Sequence, residues 1–241
     1  MNEQNGFDKA WGIAQKIDGW LSEGQAMELY KAARSVGRGT AIVEIGSHHG
    51  RSAVVLASAA RPGVEVVAVD PYDDERWGGG VNSFEILQAN LQRAGVTNRV
   101  RVVRDTSEAA AKRWTQGPIG FVFIDGAHDR RSVLNDIDGW TCMLTDGGMV
   151  FLHDAFSSVG VTTAILQRFL SARNFAYMGA EQSLAMFRRC SPSIGVAGST
   201  SARLLIQLPY FVRNLAVKVA VRRGWQRLSR LLGHSGDELP Y

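Results

Sequence analysis

Four short apolar runs and one valine–arginine segment alternate with segments whose apolar residues recur at helical spacing, and this alternation constrains the chain more than any other feature. The apolar runs are residues 41–46 (AIVEIG), 64–70 (VEVVAVD), 119–125 (IGFVFID) and 148–154 (GMVFLHD), and the segment 99–104 (RVRVVR) reads as a further strand. Residues 51–60, 82–94, 107–114, 130–143 and 161–170 read as helices. Runs without polar alternation suit strands buried on both faces, and strands joined through helices run parallel. The expected fold is therefore α/β: a doubly wound, mostly parallel sheet with helices on both faces. Two more runs, 175–179 and 183–188, would bring the sheet to seven strands, and helices near 7–17 and 23–35 precede it.

Open sheets of this kind bind ligands at the carboxyl ends of their strands. There the chain places Glu44 and Gly46, Asp70, Asp125, and the pair His153 and Asp154. A length of 241 residues allows one domain with an appendage. The expected organisation is a helical segment over 1–36, a ligand-binding domain over 37–190, and a linker with a helical tail over 191–241. The linker, 191–202 (SPSIGVAGSTSA), is polar and contains glycine. Cys142 and Cys190 lack metal or redox spacing, which fits a reducing compartment. No basic start followed by an apolar run opens the chain, and no stretch of about 18 uncharged apolar residues occurs. The expected location is cytoplasmic.

Between the first run and its helix lies Glu44-Ile45-Gly46-Ser47-His48-His49-Gly50-Arg51-Ser52. Glycines let such a loop turn sharply and approach a ligand, and the helix start behind it offers free N–H groups to an anionic group such as a carboxylate. Asp70, ending the next run, is placed to accept hydrogen bonds from two ribose hydroxyls. There is no G-x-x-x-x-G-K-[ST], and His48 stands where a dinucleotide loop has its second glycine. An NAD-dependent oxidoreductase is thereby disfavoured.

The string E-I-G-S-x-x-G-x-S followed by V-x-V-D resembles the S-adenosylmethionine loop of class I methyltransferases, a Rossmann-like fold; the middle glycine of their E-x-G-x-G-x-G pattern is absent. Further segments match in order: Gly19-Trp20-Leu21-Ser22; Phe84…Asn90-Leu91…Gly95-Val96 with Arg99-Val100 and Ser107; Phe123-Ile124-Asp125-Gly126-Ala127-His128; and Leu144…Gly147-Gly148…His153-Asp154. Together they are similar to the bacterial macrocin- and mycinamicin-type sugar O-methyltransferases, over roughly residues 15–190. The resemblance implies S-adenosylmethionine as methyl donor, with Ser47, Gly50 and Ser52 along its methionine portion and Ser107 near its adenine. It also implies an acceptor with a free sugar hydroxyl on a glycoside, glycolipid or polysaccharide. A catechol-like phenol methyltransferase and a non-catalytic S-adenosylmethionine-binding protein are the competing readings.

Asp125 and Asp154 end neighbouring strands, so their carboxylates meet above the sheet edge, an arrangement that suits Mg²⁺. Metal coordination lowers the pKa of a hydroxyl and fixes it in line with a methyl group. The resembling enzymes, like catechol O-methyltransferases, hold Mg²⁺ with an acid after strand four and an acidic pair, or acid plus amide, after strand five. Here that pair is His153-Asp154, and a histidine ligand shifts preference towards Mn²⁺, unless the ring faces away. His128, in D-x-x-H spacing from Asp125, is the candidate general base, with His153 the second. Asp129 reads as a helix cap, His48 and His49 as loop-shaping residues, and 72–81 (YDDERWGGGV) as a hinged flap with Trp77 as lid.

The net charge of +4 hides an asymmetry: residues 182–236 hold nine basic side chains and no acidic one. Within them Leu204, Leu205, Leu208, Phe211, Val212 and Leu215 form an apolar stripe, extended by Val219, Trp225, Leu228 and Leu232; Pro209 and Gly224 divide it into short helices. Such a tail suits packing on its own domain, a second subunit in a homodimer, or an anionic membrane at the inner face of the cell. No nucleic-acid partner is expected, because the basic residues are confined to the tail.

Overall fold

The computed structural model describes residues 3–73 and 82–234. Helices α1 (Glu3–Ala14) and α2 (Glu23–Ser35) lead into β1 (Ala41–Ile45), α3 (Arg51–Ala59), β2 (Glu65–Val69), α4 (Ser83–Arg93), β3 (Val100–Val103), α5 (Ser107–Lys112), β4 (Ile119–Ile124), α6 (Arg130–Thr141), β5 (Leu144–Leu152), α7 (Val159–Phe169), β6 (Phe175–Glu181) and β7 (Leu184–Arg189). Three tail helices follow: α8 (Ile194–Leu205), α9 (Leu208–Arg222) and α10 (Gln226–Leu231). The sheet has the seven strands that the alternating pattern predicts, in the order β3-β2-β1-β4-β5-β7-β6. β7 pairs antiparallel with β5 and β6, and the other neighbours pair in parallel. Strand order reverses between β1 and β4, which opens a crevice above their carboxyl ends.

Side-chain alternation sorts each strand onto two cores. Ile42, Val66, Phe121, Phe123 and Phe151 face α1–α4, where Phe7, Leu29, Leu56 and Leu87 are buried. Val43, Val67, Val122, Ile124 and Val150 face the layer of α6 and α7, with Ile137, Trp140, Ile165 and Phe169. The N-terminal helices are tied to the sheet by Arg51, whose guanidinium donates to the carbonyls of Gln15, Ile17, Gly19 and Leu21. That grip ends α1 at Ala14 rather than at 17, because residues 15–21 must turn their carbonyls towards one cation.

Two expectations for the tail need correction. Most of the 191–202 linker is the first part of α8, capped by the Ser193 hydroxyl accepting from Gly195 N–H. Thr200 holds that helix down: its hydroxyl accepts from Tyr177 N–H and donates to Phe175 C=O. The apolar stripe is also only partly inward: Leu204 is buried, whereas Leu205, Val212, Val219, Trp225 and Leu228 are exposed. Packing chose Asn214, Val217 and Ala220 as the inward face of α9 instead. Residues 194–222 include an 18-residue window, mean hydropathy 1.4, that is by length and composition apolar enough to cross a membrane. Of the flap, residues 74–81 with Trp77 lie outside the described residues.

Candidate active site

The loop after β1 passes against β4 with no room for a side chain. A Cβ on Gly46 would stand 2.2 Å from the Asp125 carbonyl oxygen, and its φ of +84° is one that glycine adopts freely. Asp125 N–H donates to Ile45 C=O, and Gly46 N–H to Val69 C=O, so the ends of β1, β2 and β4 are clamped together. Gly50 (φ +88°) then turns the chain into α3. His48 replaces the glycine of the resembling pattern but keeps a left-handed backbone, φ 44°. Its ring lies flat against His49 at 3.7 Å and near Trp20 at 5.6 Å, so both histidines shape the loop.

Asp70 binds this loop directly. Its Oδ2 accepts from the N–H groups of Ser47 and His48, both at 3.0 Å, and its Oδ1 from Tyr72 N–H at 2.8 Å. Beneath lies a set of buried polar groups without hydrogen bonds of ordinary geometry: both carboxylate oxygens of Glu44, Ser47 Oγ and Tyr72 Oη. Burial pushes the Glu44 carboxyl up to about 8, and the nearby Ser52 and Ser47 hydroxyls offset that only in part. Buried polar atoms are costly to leave unpaired, and several around one loop mark a place where a polar ligand completes the pairing. Ser107, at the start of α5, accepts from Trp140 Nε1–H at 2.8 Å.

The second cluster lies where β4 and β5 end. His128 Nε2 is 3.0 Å from Asp154 Oδ2; His153 Nδ1 is 3.2 Å from Asp125 Oδ1 and 3.4 Å from Asp154 Oδ2. Asp154 is raised into the cluster by a left-handed backbone, φ 55°. Burial opposes its charge, but the His128 and His153 rings beside it hold its carboxyl well below the usual range. The Asp154 hydrogen bond raises the pKa of His128, against burial. Burial alone would lower the His153 ring, yet Asp125 and Asp154 outweigh it and raise the ring to about 10. One ligand atom each from Asp125, His128 and Asp154 lie within 4.8 Å of one another, a spacing one ion could bridge. Asp129 caps α6, as expected, accepting from Arg131 and Ser132 N–H.

The environment of His153 fixes more than its position. The Gln25 Oε1 accepts Ser22 N–H at 3.0 Å in a capping box, and a backbone N–H can only donate. The same oxygen faces His153 Nε2 at 3.2 Å, so Nε2 carries a proton. A neutral ring then directs its Nδ1 lone pair between two carboxylates, and Nδ1 makes no hydrogen bond of ordinary geometry. That donor set is self-consistent either as an imidazolium or around a cation.

Gln25, Ser183, Tyr72 and Gly160 escaped the reading of the sequence as site residues. Gln25 Nε2 donates to Ser183 Oγ at 3.0 Å, linking α2 to the strand-end histidine 128 residues away. The capping box was a legible signal for the helix start but not for this contact. A Cβ on Gly160 would stand 2.1 Å from the His128 carbonyl oxygen, so α7 seats the histidine loop closely.

Comparison with known proteins agrees with this geometry. Residues 43–155 match the family model described as "Methyltransferase domain". Among solved structures, cofactor-bound Rv0187 from MTB is 20% identical at a TM-score of 0.61, covering 78% of this chain and 91% of that one. An O-methyltransferase from Bacillus cereus in complex with SAH is 15% identical at a TM-score of 0.59, with 78% and 91% covered. The O-methyltransferase TomG from Streptomyces achromogenes, involved in tomaymycin synthesis and solved with SAM, is 17% identical at 0.59, with 77% and 90% covered. Over residues 43–155 the chain is therefore similar to methyltransferase domains, and it shares with these structures a seven-stranded Rossmann-like fold.

Proposed function

We propose that the protein transfers the methyl group of S-adenosylmethionine to a sugar hydroxyl of a glycoside, glycolipid or polysaccharide, with Mg²⁺ or Mn²⁺ bound beside the acceptor. The observation that carries this reading is the meeting of Asp125, Asp154, His128 and His153 next to the Gly46 loop. The orphaned groups of Glu44, Ser47 and Tyr72 suit the methionine end of the donor. Asp70 uses three of the roughly four acceptor positions of a carboxylate on backbone N–H groups, which leaves capacity for a ribose hydroxyl. Ser52 and Gly50 would line the same portion, and Ser107 opens α5 beyond β3, in reach of an adenine placed there.

Asp125 and Asp154 fit a divalent cation, and His153 Nδ1, 3.2 Å and 3.4 Å from them, would join as a ligand on losing its proton, which leaves His128 free to act as base. When bound, that cation supplies Lewis acidity that lowers the pKa of an acceptor hydroxyl. In the transfer, the C–S bond of the donor breaks as the C–O bond forms, and the hydroxyl proton passes to the His128 ring. Asp154, 3.0 Å from Nε2, stabilises the resulting imidazolium. His153 is the alternative base, disfavoured by its burial and its bond to Gln25. The domain match and the O-methyltransferases among similar folds support the reaction class; the sugar rests on the motif order set out above.

Labelled donor offered with a panel of glycosides and catechols tests the reading. Label should enter glycosides only with Mg²⁺ or Mn²⁺, and Asp125→Ala and Asp154→Ala should bind S-adenosylhomocysteine without transfer. Full activity in excess chelator would remove the metal, label in catechols alone would replace the sugar, and cofactor binding without any turnover would leave a binding protein.

A further inference from the structure

We propose that α8, α9 and α10 form a docking face for an anionic lipid surface, a function separate from the methyl-transfer reading. On α9 the buried Asn214, Val217 and Ala220 face the domain. Val212 and Val219, seven residues apart and so on one helical stripe, point the other way with 62% and 49% exposure. Ile194 and Leu205, eleven apart on α8, and Leu228 and Leu231, three apart on α10, are exposed as well. Trp225 sits between α9 and α10, half exposed, with the Arg223 guanidinium over its ring at 5.3 Å. Arg222, Arg223, Arg227 and Arg230 are exposed beside these side chains, and residues 182–236 contain no carboxylate. Apolar side chains that penetrate, an indole, and arginines that stay at headgroup level are the parts of an interfacial helix.

The same helices are fastened so that they lie on a surface and do not cross it. Arg203 donates to the carbonyls of Tyr177 and Met178. Asn214 Nδ2 donates to Phe156 C=O and Lys218 Nζ to Ser157 C=O, both at 2.9 Å. Spanning a membrane would strip these groups from the domain and place Arg203, Arg213 and Lys218 in hydrocarbon. A second copy fits the face poorly, because an isologous contact would set cation against cation with no acid to pair them. Nucleic acid would reward the arginines and gain little from the valines and leucines. The segment that anchors α9 follows Asp154 by two and three residues, so the docking helix and the reaction site share one stretch of backbone.

Sedimentation of the full chain with vesicles of phosphatidylcholine, with and without phosphatidylglycerol, tests the proposal. Binding should require phosphatidylglycerol, weaken as salt rises, and fall about fivefold for each Arg→Gln at positions 222, 223, 227 and 230. Val219→Ser and Leu231→Ser should weaken it further while leaving the thermal melt and S-adenosylhomocysteine affinity at wild-type values. Equal binding to neutral and anionic vesicles, or none to either, would overturn the proposal. So would a concentration-dependent dimer, or duplex binding, that the same arginine variants abolish while vesicles are ignored.

Discussion

Replacing Glu44 with glutamine isolates the energetic consequence of a buried, unpaired carboxyl. In the unfolded chain this group titrates near 4.5, and burial raises it to about 8 in the folded protein. Between those values the folded state holds a proton that the unfolded state has lost. Stability contributed by the protonated form is therefore complete below about 4.5 and is lost as the pH rises through about 8, at about 1.4 kcal/mol per pH unit. Across the full window the loss is on the order of 5 kcal/mol. Glu44→Gln keeps the shape, cannot ionise, and leaves an amide unpaired at a cost of about 1–3 kcal/mol. The variant should accordingly be less stable than wild type at pH 4.5 and more stable at pH 8.5, with the curves crossing between. Urea unfolding at several pH values without ligand measures this directly. A constant offset between the two proteins across pH would refute the argument, since it would mean that Glu44 does not change protonation on folding.

Other perturbations separate the remaining roles. His128→Ala should still bind cofactor and metal but lose about 10²–10⁴-fold in kcat, whereas excess metal should partly rescue His153→Ala; the reverse pattern would exchange their roles. The His128 pKa, raised by Asp154 without metal, should fall on adding Mg²⁺, and an NMR titration unmoved by saturating Mg²⁺ would place the ion elsewhere. Arg51→Ala removes every hydrogen bond from the guanidinium to residues 15–21 and should cost about 2–4 kcal/mol in denaturant unfolding; a wild-type midpoint would contradict the anchoring role. Gln25→Leu should lower metal affinity about 10–100-fold by releasing the His153 ring, and unchanged calorimetry would make Gln25 a helix cap alone.

Strand positions were legible because burial on both faces leaves uniform apolar runs, and the ligand edge followed from what ended them. The glycine loop, Asp70 and the Asp125–Asp154 meeting are consequences of parallel neighbours, so sequence order was enough to place them. The Gln25–His153 bond was not legible: it joins residues 128 positions apart through the packing of α2 against the sheet, and no local pattern encodes that. The same limit explains the tail. Periodicity identified a stripe, but which face of α9 turned inward was decided by Asn214 and Lys218 finding carbonyls at Phe156 and Ser157. The 191–202 segment looked like a linker from its serines and glycines, and became helix because Thr200 and Leu204 found buried partners across β6 and the core beneath it.

Diffraction from crystals soaked with S-adenosylhomocysteine and Mn²⁺ tests the central claim most directly. The account predicts the nucleoside over the Gly46–Gly50 loop with its ribose at Asp70, and an anomalous manganese peak coordinated by Asp125 and Asp154. A nucleoside bound away from that loop, or manganese bound without either carboxylate, would contradict it.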